Sequence, residues 1–325
     1  MLRTGIALLA TVGLVASLAA CSEGGRVKEP EREAGTAGDN SGYTIAMVTH
    51  ETPGDSFWDI VRAGAEQAAQ NAGIELKYSN DPDAGKQATL IQNAVDSKVD
   101  GIATTLVTPE ALAGPVKSAA DAGIPIVGLN AGIEDYQRLG ADMYFGSDET
   151  RAGEAAGERL ASEGAQHPLC VIHQAGSVSL EARCAGVAKG VPATENLQVN
   201  GADDAAVTAT LQAKLAQDPS IDYIVSLGAP IAADAIKAKD ASGSSAKLVT
   251  FDLNQEAAQA IQDGEIEFSI DQQPYMQGFM AITSLYLAVK NGNDLGGGEA
   301  VLTGPSFVDS ENIEQILPFV QNGTR

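Results

Sequence analysis

The segment from Thr44 to Ala72, TIAMVTHETPGDSFWDIVRAGAEQAAQNA, decides the fold. It begins with a short apolar run, 45–48, of the kind that a buried strand shows. A polar loop containing Pro53 and Gly54 follows. After the loop, apolar residues recur at helical spacing, at Phe57, Val61, Ala65, Ala68 and Ala72. The segment therefore predicts a strand, a loop and a helix.

The loop of this unit is a candidate ligand site. In open α/β sheets, ligands bind beyond the carboxyl ends of the strands, where such loops lie. The loop brings Asp55 and the rings of Phe57 and Trp58 to one strand end, and His50 ends the strand itself. The two rings are equally consistent with core anchors of the first helix.

The remainder of the chain repeats this unit. From Tyr43 onward, apolar strand segments alternate with helical segments, which is typical of a parallel sheet covered on both faces. The sequence predicts an α/β fold with two similar halves that meet near Ser147, and Ser147 is the expected cap of the next helix. Near the C-terminus we expect a kinked connection at 272–278, a helix at 279–290 and a short strand at 307–308.

Composition limits the functions that the chain can have. At 325 residues it is long enough for two domains, each with its own core. Its 43 acidic and 20 basic residues give a net charge of -23. Such a surface repels phosphate backbones and anionic headgroups, so a nucleic-acid partner is not expected.

The N-terminal residues do not belong to the predicted fold. Residues 1–21 have a basic start at Arg3, a short apolar run and the ending LAAC, and they resemble a bacterial lipoprotein signal that ends at Cys21. An ordinary signal peptide is the alternative. Residues 22–42 are charged and rich in glycine, which predicts a flexible tether. We therefore expect lipidation at Cys21 and a location on the outer face of the cytoplasmic membrane, with contact through the lipid anchor only.

Two cysteines remain after this leader, Cys170 and Cys184. An even pair in an oxidising compartment favours a disulfide. Two buried free thiols or a reactive nucleophile are the alternatives at this point.

Motifs of catalysis are absent from the sequence. The glycine run 296–298 lacks the helix-opening Lys-Ser or Lys-Thr of a nucleotide site, and no GxSxG or HExxH occurs. His50, His167 and His173 are far apart in sequence, so a metal site is not expected, and His167 and His173 are interpreted as structural or surface residues. We expect no enzyme activity and no cofactor.

The predicted strand ends instead offer neutral hydrogen-bonding groups with a few charges. Hydroxyl groups both donate and accept, so a polyhydroxylated ligand needs carboxylates, guanidinium groups and amides around it, and aromatic rings to cover its C–H faces. The candidates of this type are Asp55, Asn130, Arg183, Asp252, Asn254, Gln272 and Gln273. The set suits a sugar or polyol.

Six segments, in order, resemble the ribose-binding-protein group of type I periplasmic solute-binding proteins of sugar ABC transporters. They are DSFW, AGIPIVGLN, FGSDETRAGEAAGERL, EARCAGV, VTFD and IDQQPYMQG. The resemblance implies two doubly wound parallel-sheet lobes joined by a three-segment hinge. The N-terminal lobe would be 43–147 plus 273–302, and the C-terminal lobe 148–272 plus 303–325.

The resemblance also implies ligand contacts. The matching positions are Asp55, Phe57, Trp58, Asn130, Arg183, Asp252 and Gln272, with His50, Asn254 and Gln273 as weaker candidates. The chain departs from ribose-type relatives in three places: Asn130-Ala131 replaces an Asp-Arg pair, Gly228 follows the strand where an Asn is usual, and an aromatic near Ala202 is missing. Another pentose, a hexose or an open-chain polyol is therefore as good a candidate as ribose.

The function that follows from the resemblance is capture of a neutral sugar or polyol by hinge closure, with delivery to an ABC permease. We expect a monomer. A receptor that reports ligand occupancy to a chemotaxis or signalling partner is the alternative, and a carbohydrate-active enzyme is a weaker one.

Overall fold

The computed structural model describes residues 42–52 and 54–325. These residues form two six-stranded sheets with the same connectivity, ordered β11-β5-β4-β3-β1-β2 and β12-β10-β9-β8-β6-β7. The first sheet contains β1 (Thr44–Thr49), β2 (Glu75–Asn80), β3 (Gly101–Thr105), β4 (Ile126–Leu129), β5 (Met143–Ser147) and β11 (Val301–Gly304). The second contains β6 (Pro168–Ile172), β7 (Glu195–Gln198), β8 (Tyr223–Ser226), β9 (Lys247–Phe251), β10 (Phe268–Asp271) and β12 (Ser306–Asp309).

Helices cover both faces of each sheet. They are α1 (Ser56–Ala72), α2 (Ala84–Asp96), α3 (Pro109–Asp121), α4 (Tyr136–Leu139), α5 (Glu149–Ser162), α6 (Val178–Gly190), α7 (Asp204–Gln217), α8 (Ala229–Ser242), α9 (Gln255–Asp263), α10 (Pro274–Asn291) and α11 (Ile313–Gln321). Four apolar clusters fill the spaces between sheets and helices, one on each face of each sheet. The α/β fold with two similar, mostly parallel sheets is as predicted.

The central strands are buried because both of their faces are covered. In β3, β4 and β5 every residue is buried, which explains why these strands read as continuous apolar runs. Only β12 runs antiparallel to its neighbour, β10, among the described strand pairs. No helix in the described part has the length and apolar character that a membrane span needs.

The chain passes between the sheets three times. The passages lie between β5 and β6, between β10 and β11, and between β11 and β12. As a result, α5 follows a strand of the first sheet but packs with α6, and α10 follows a strand of the second sheet but packs with α1. In each pair, glycine residues allow the two helix backbones to approach each other closely.

Several local predictions need correction. The cap of α5 is Asp148, whose carboxylate accepts from the N–H of Arg151 at 3.0 Å, and not Ser147. The segment 272–278 is not a kinked connection, because α10 already begins at Pro274, a residue whose fixed φ suits the first turn of a helix. The sequence pattern did not indicate α4, α9, β11 or α11.

The predicted disulfide is present. Cys170 in β6 and Cys184 in α6 are bonded, with Cα atoms 5.8 Å apart. The bond ties α6 to the strand on which it packs. The predicted signal and Cys21, and the tether apart from Gly42, lie outside the described residues.

Candidate functional site

The candidate site lies at the carboxyl ends of the two sheets. Asn130 follows β4 and Asp252 follows β9, which occupy the same place in their respective sheets. Both residues have left-handed backbone angles, with φ of 64° and 66°. Each N–H donates to the neighbouring strand, to Phe145 O and Ile270 O, at 3.0 Å in both cases. Non-glycine residues adopt this conformation rarely, and it often marks functional positions.

A buried network of side-chain amides connects these two strand ends. Gln272 donates to Asp252 Oδ1 at 2.7 Å, and its own Oε1 accepts from Asn130 Nδ2 at 3.2 Å. Gln277, which is fully buried, donates to the same Oε1 at 2.8 Å and also lies 3.2 Å from Thr303 Oγ1. Asn130 and Asp252 follow strands of different sheets, and Gln272 and Thr303 lie beside the second and third chain passages. The network therefore joins the two sheets next to these two passages.

Arg183 on α6 provides the positive charge of the site. Its Nε donates to Glu149 Oε2 at 2.5 Å, and its Nη1 donates to the carbonyl of Leu227 at 3.0 Å. Nη1 also lies 3.9 Å from Asp252 Oδ2, and the guanidinium packs on the Phe251 ring at 4.6 Å. The disulfide holds α6, which carries Arg183, against β6. The guanidinium is therefore fixed by its own helix as well as by Glu149 and Leu227.

The predicted aromatic pair lies in the apolar core beside the first sheet, where Trp58 contacts His50. Phe57 and Trp58 are buried in the apolar cluster that includes Met47 and Val61. The rings of Trp58 and His50 meet edge to face, with centroids 4.9 Å apart. His50 Nδ1 is 2.8 Å from Thr105 Oγ1. The pair therefore anchors α1, and it also borders the strand end that bears His50.

Asp55 and Asn254 combine helix capping with proximity to the opposite half. Asp55 caps α1 by accepting from Phe57 N at 3.0 Å, and it interacts electrostatically with Asp252. Asn254 caps α9, and its Nδ2 donates to Ser56 Oγ of α1 at 3.3 Å. These contacts join α1 of the first half to the second half.

Gln273 takes part in a chain passage rather than in the buried network. It has a φ of 55° and donates from Nε2 to the carbonyl of Thr303 at 2.8 Å. Its Oε1 accepts from Arg325 Nη1 at 3.4 Å. These contacts connect the second and third passages.

Burial sets the protonation of the site. Burial raises the pKa of Asp252 to about 7, although Arg183 acts in the opposite direction. Burial also raises the pKa of Asp55 to about 6, against the hydrogen bond from Phe57 N. Burial lowers the pKa of His50 to about 3, with a further contribution from His173. Each shift favours the uncharged form of the group.

The sequence did not indicate two residues that contact this site, Glu149 and Gln277, and a third strand-end residue, His173, was set aside. Glu149 holds Arg183 and was interpreted only as part of the start of the next helix, and Gln277, which holds Gln272, lies within α10. His173 follows β6 as His50 follows β1, but it was interpreted as structural or surface. Its place directly after an apolar run was the available signal.

The comparisons with known proteins agree with this architecture. Residues 45–294 match the family described as periplasmic binding protein domain. A carbohydrate transporter from Acidothermus cellulolyticus 11B, solved in complex with myo-inositol, is 53% identical with a TM-score of 0.86, covering 87% of this chain and 99% of its own. The fructose import binding protein of Bifidobacterium longum is 27% identical over 84% of this chain and 85% of its own length. The xylose/arabinose-binding protein of Sulfolobus acidocaldarius is 24% identical over 85% and 73%.

Proposed function

Because the chain belongs to the periplasmic binding protein domain family, we propose that it is the substrate-binding component of an ABC importer for a neutral polyol or sugar. Its relatives are import binding proteins and a carbohydrate transporter rather than enzymes. The relative that is 53% identical holds myo-inositol. Myo-inositol is therefore the first ligand to test, ahead of pentoses and hexoses.

One observation supports a neutral ligand above all: Arg183, the cationic side chain of the site, is already paired with a carboxylate. Arg183 is paired with Glu149, and burial favours the protonated form of Asp252. A phosphorylated or carboxylated ligand would face Asp252, Asp55 and Glu149, and a cationic ligand would face Arg183. Amide and carboxyl groups that both donate and accept suit hydroxyls instead.

The proposed mechanism is closure of two lobes on the ligand. The lobes are those predicted from the sequence, 43–147 plus 273–302 and 148–272 plus 303–325, and the membership of the two sheets supports this division. Asn130 and Asp55 would contact the ligand from one lobe, and Arg183 and Asp252 from the other. A ligand that contacts both lobes favours the closed state by its differential affinity.

Attachment to the membrane through Cys21 belongs to the same proposal. A lipid at Cys21 and a tether of residues 22–42 would keep the lobes near a permease on the outer face of the cytoplasmic membrane. Incorporation of labelled palmitate into the wild-type chain, and its loss in a Cys21→Ala variant, tests this part independently of ligand binding.

A ligand panel tests the proposed function. We expect myo-inositol to raise the melting temperature of the purified protein by mass action and to change the fluorescence of Trp58, the only tryptophan in the chain. The panel adds pentoses, hexoses, tetritols and pentitols, with myo-inositol 1-phosphate as the charged control that should have no effect. A panel in which no neutral compound changes either signal contradicts the proposal.

A further inference from the structure

We propose that His173 is a specificity-determining residue of the site, whose imidazole contacts the bound polyol from the half built on the second sheet. The inference rests on the proposed function, because it assigns a further contact to the same polyol. Three observations support the inference: the position of His173, the two glycines that enclose its ring, and the lack of a hydrogen-bond partner at its ring nitrogens within the described part of the chain.

His173 lies where a ligand between the sheets would contact it. It follows β6, and His50 follows β1, the strand at the same place in the other sheet. The two imidazoles are close enough to influence each other electrostatically, and Arg183 also acts on His173. His173 is thus near His50 of the first half and the guanidinium of the second.

Two glycines leave the space that the imidazole occupies. A Cβ at Gly201 would lie 3.0 Å from His173 Cβ and 3.2 Å from Cδ2, and a Cβ at Gly228 would lie 3.4 Å from Cε1. The N–H of Gly201 donates to the carbonyl of His173 at 2.9 Å, which fixes this loop against the strand end. Gly228 has a φ of -172°, an extended conformation open to any residue, so its backbone does not require glycine.

The ring nitrogens of His173 are suited to a hydroxyl ligand. Nδ1 is buried and has no hydrogen-bond partner among the described residues. Burial, with a contribution from Arg183, lowers the pKa of His173 to about 4, so the imidazole is neutral at physiological pH. A neutral imidazole has one donor and one acceptor nitrogen. Nδ1 is too buried for a ligand atom to reach, so Nε2, the more accessible nitrogen, is the one that would bond a ligand hydroxyl.

The test compares affinities for myo-inositol by isothermal titration calorimetry. We expect a His173→Phe variant to bind about tenfold more weakly, the effect of losing one or two hydrogen bonds, with an unchanged melting temperature in the absence of ligand. His173→Gln, which keeps a donor and an acceptor, should retain part of the affinity. His167→Phe, at the opposite end of β6, is the matched control and should bind as the wild type does.

Monodeoxy forms of myo-inositol distinguish a direct contact from a structural effect. One of them should bind the wild type about tenfold more weakly than myo-inositol, yet bind His173→Phe as well as myo-inositol does. Adding Gly228→Asn to His173→Ala should restore affinity that His173→Ala loses. Equal binding by wild type and His173→Phe overturns the inference alone. A wild-type protein that binds neither myo-inositol nor any panel sugar overturns the proposed function and the inference with it.

Discussion

Arg183 is the residue on which the charge balance of the candidate site depends. Both it and Glu149 are almost completely buried, with side chains 4% exposed, and both belong to the half built on the second sheet. A buried ion pair is not in itself strongly stabilising, but removal of one partner leaves a buried charge that nothing compensates. Asp252, 3.9 Å away, adds a second acidic group to the same guanidinium.

This arrangement predicts a large effect of Arg183→Met on stability. We expect the free energy of unfolding to fall by about 3–5 kcal/mol, because Glu149 remains buried without its partner. Glu149→Gln in the same chain should recover part of the loss. Urea unfolding followed by circular dichroism measures both changes. Arg138→Met, which removes two ion pairs of an exposed side chain, should leave the midpoint close to the wild-type value, and a similar midpoint for Arg183→Met would contradict the prediction.

The sequence indicated most of the residues that the fold brings together, because strand ends can be recognised from apolar runs. Asn130, Asp252 and Gln272 each follow such a run and meet in one hydrogen-bonded network. Gln277 lies within a helix and reaches the network only because α10 begins at Pro274. Its role depends on where a helix starts, which spacing alone did not determine.

The paired helices are the elements whose geometry depends most strongly on single residues. In the α1–α10 pair, a Cβ at Gly278 would lie only 1.9 Å from the carbonyl oxygen of Val61, and one at Gly64 would lie 2.1 Å from the carbonyl oxygen of Tyr275. Gly153 and Gly186 make equivalent close contacts between α5 and α6. Glycine is required in both pairs because backbone, and not a flexible side chain, occupies the space.

We therefore predict that Gly278→Ala destabilises the protein by about 2 kcal/mol or more, since the helices must separate to admit one methyl group. Gly114→Ala is the matched control, because Gly114 lies within α3 and nothing is within 4 Å of a Cβ there. That change should stabilise by about 0.5–1 kcal/mol, as alanine favours helix. Thermal unfolding of both variants measures the contrast, and equal effects of the two substitutions would contradict it.

Among the secondary-structure elements, the repeating strand–helix units were predicted better from the sequence than the C-terminal elements. The central strands are buried throughout and mostly apolar because both faces are covered, and they were found close to their observed bounds. In contrast, β11 is an edge strand in which Val301, Leu302 and Gly304 are partly or fully exposed. A four-residue edge strand next to glycine-rich sequence has no clear period, so no strand was predicted there.

The molecule as a whole repeats one architecture twice and exchanges a helix between the halves. The two sheets have the same order, and each carries at its edge a strand from the C-terminal region. The Ser56–Asn254 contact joins the start of α1 in the first half to the cap of α9 in the second. The passages and the buried amide network would then act as the hinge, and the Ser56–Asn254 contact would form only when the cleft is closed.

This last contact can be used to measure closure. Cysteines introduced by Ser56→Cys and Asn254→Cys would lie close together only in the closed state, since their side chains are 3.3 Å apart across the two halves. We expect myo-inositol to accelerate cross-linking of the pair, seen as a mobility shift on non-reducing gels, because ligand shifts the population toward closure. The same pair with Asp252→Ala should cross-link at a rate that myo-inositol does not change. If saturating myo-inositol, bound as judged by calorimetry, leaves the rate of the unaltered pair constant, hinge closure is wrong even though the ligand is right.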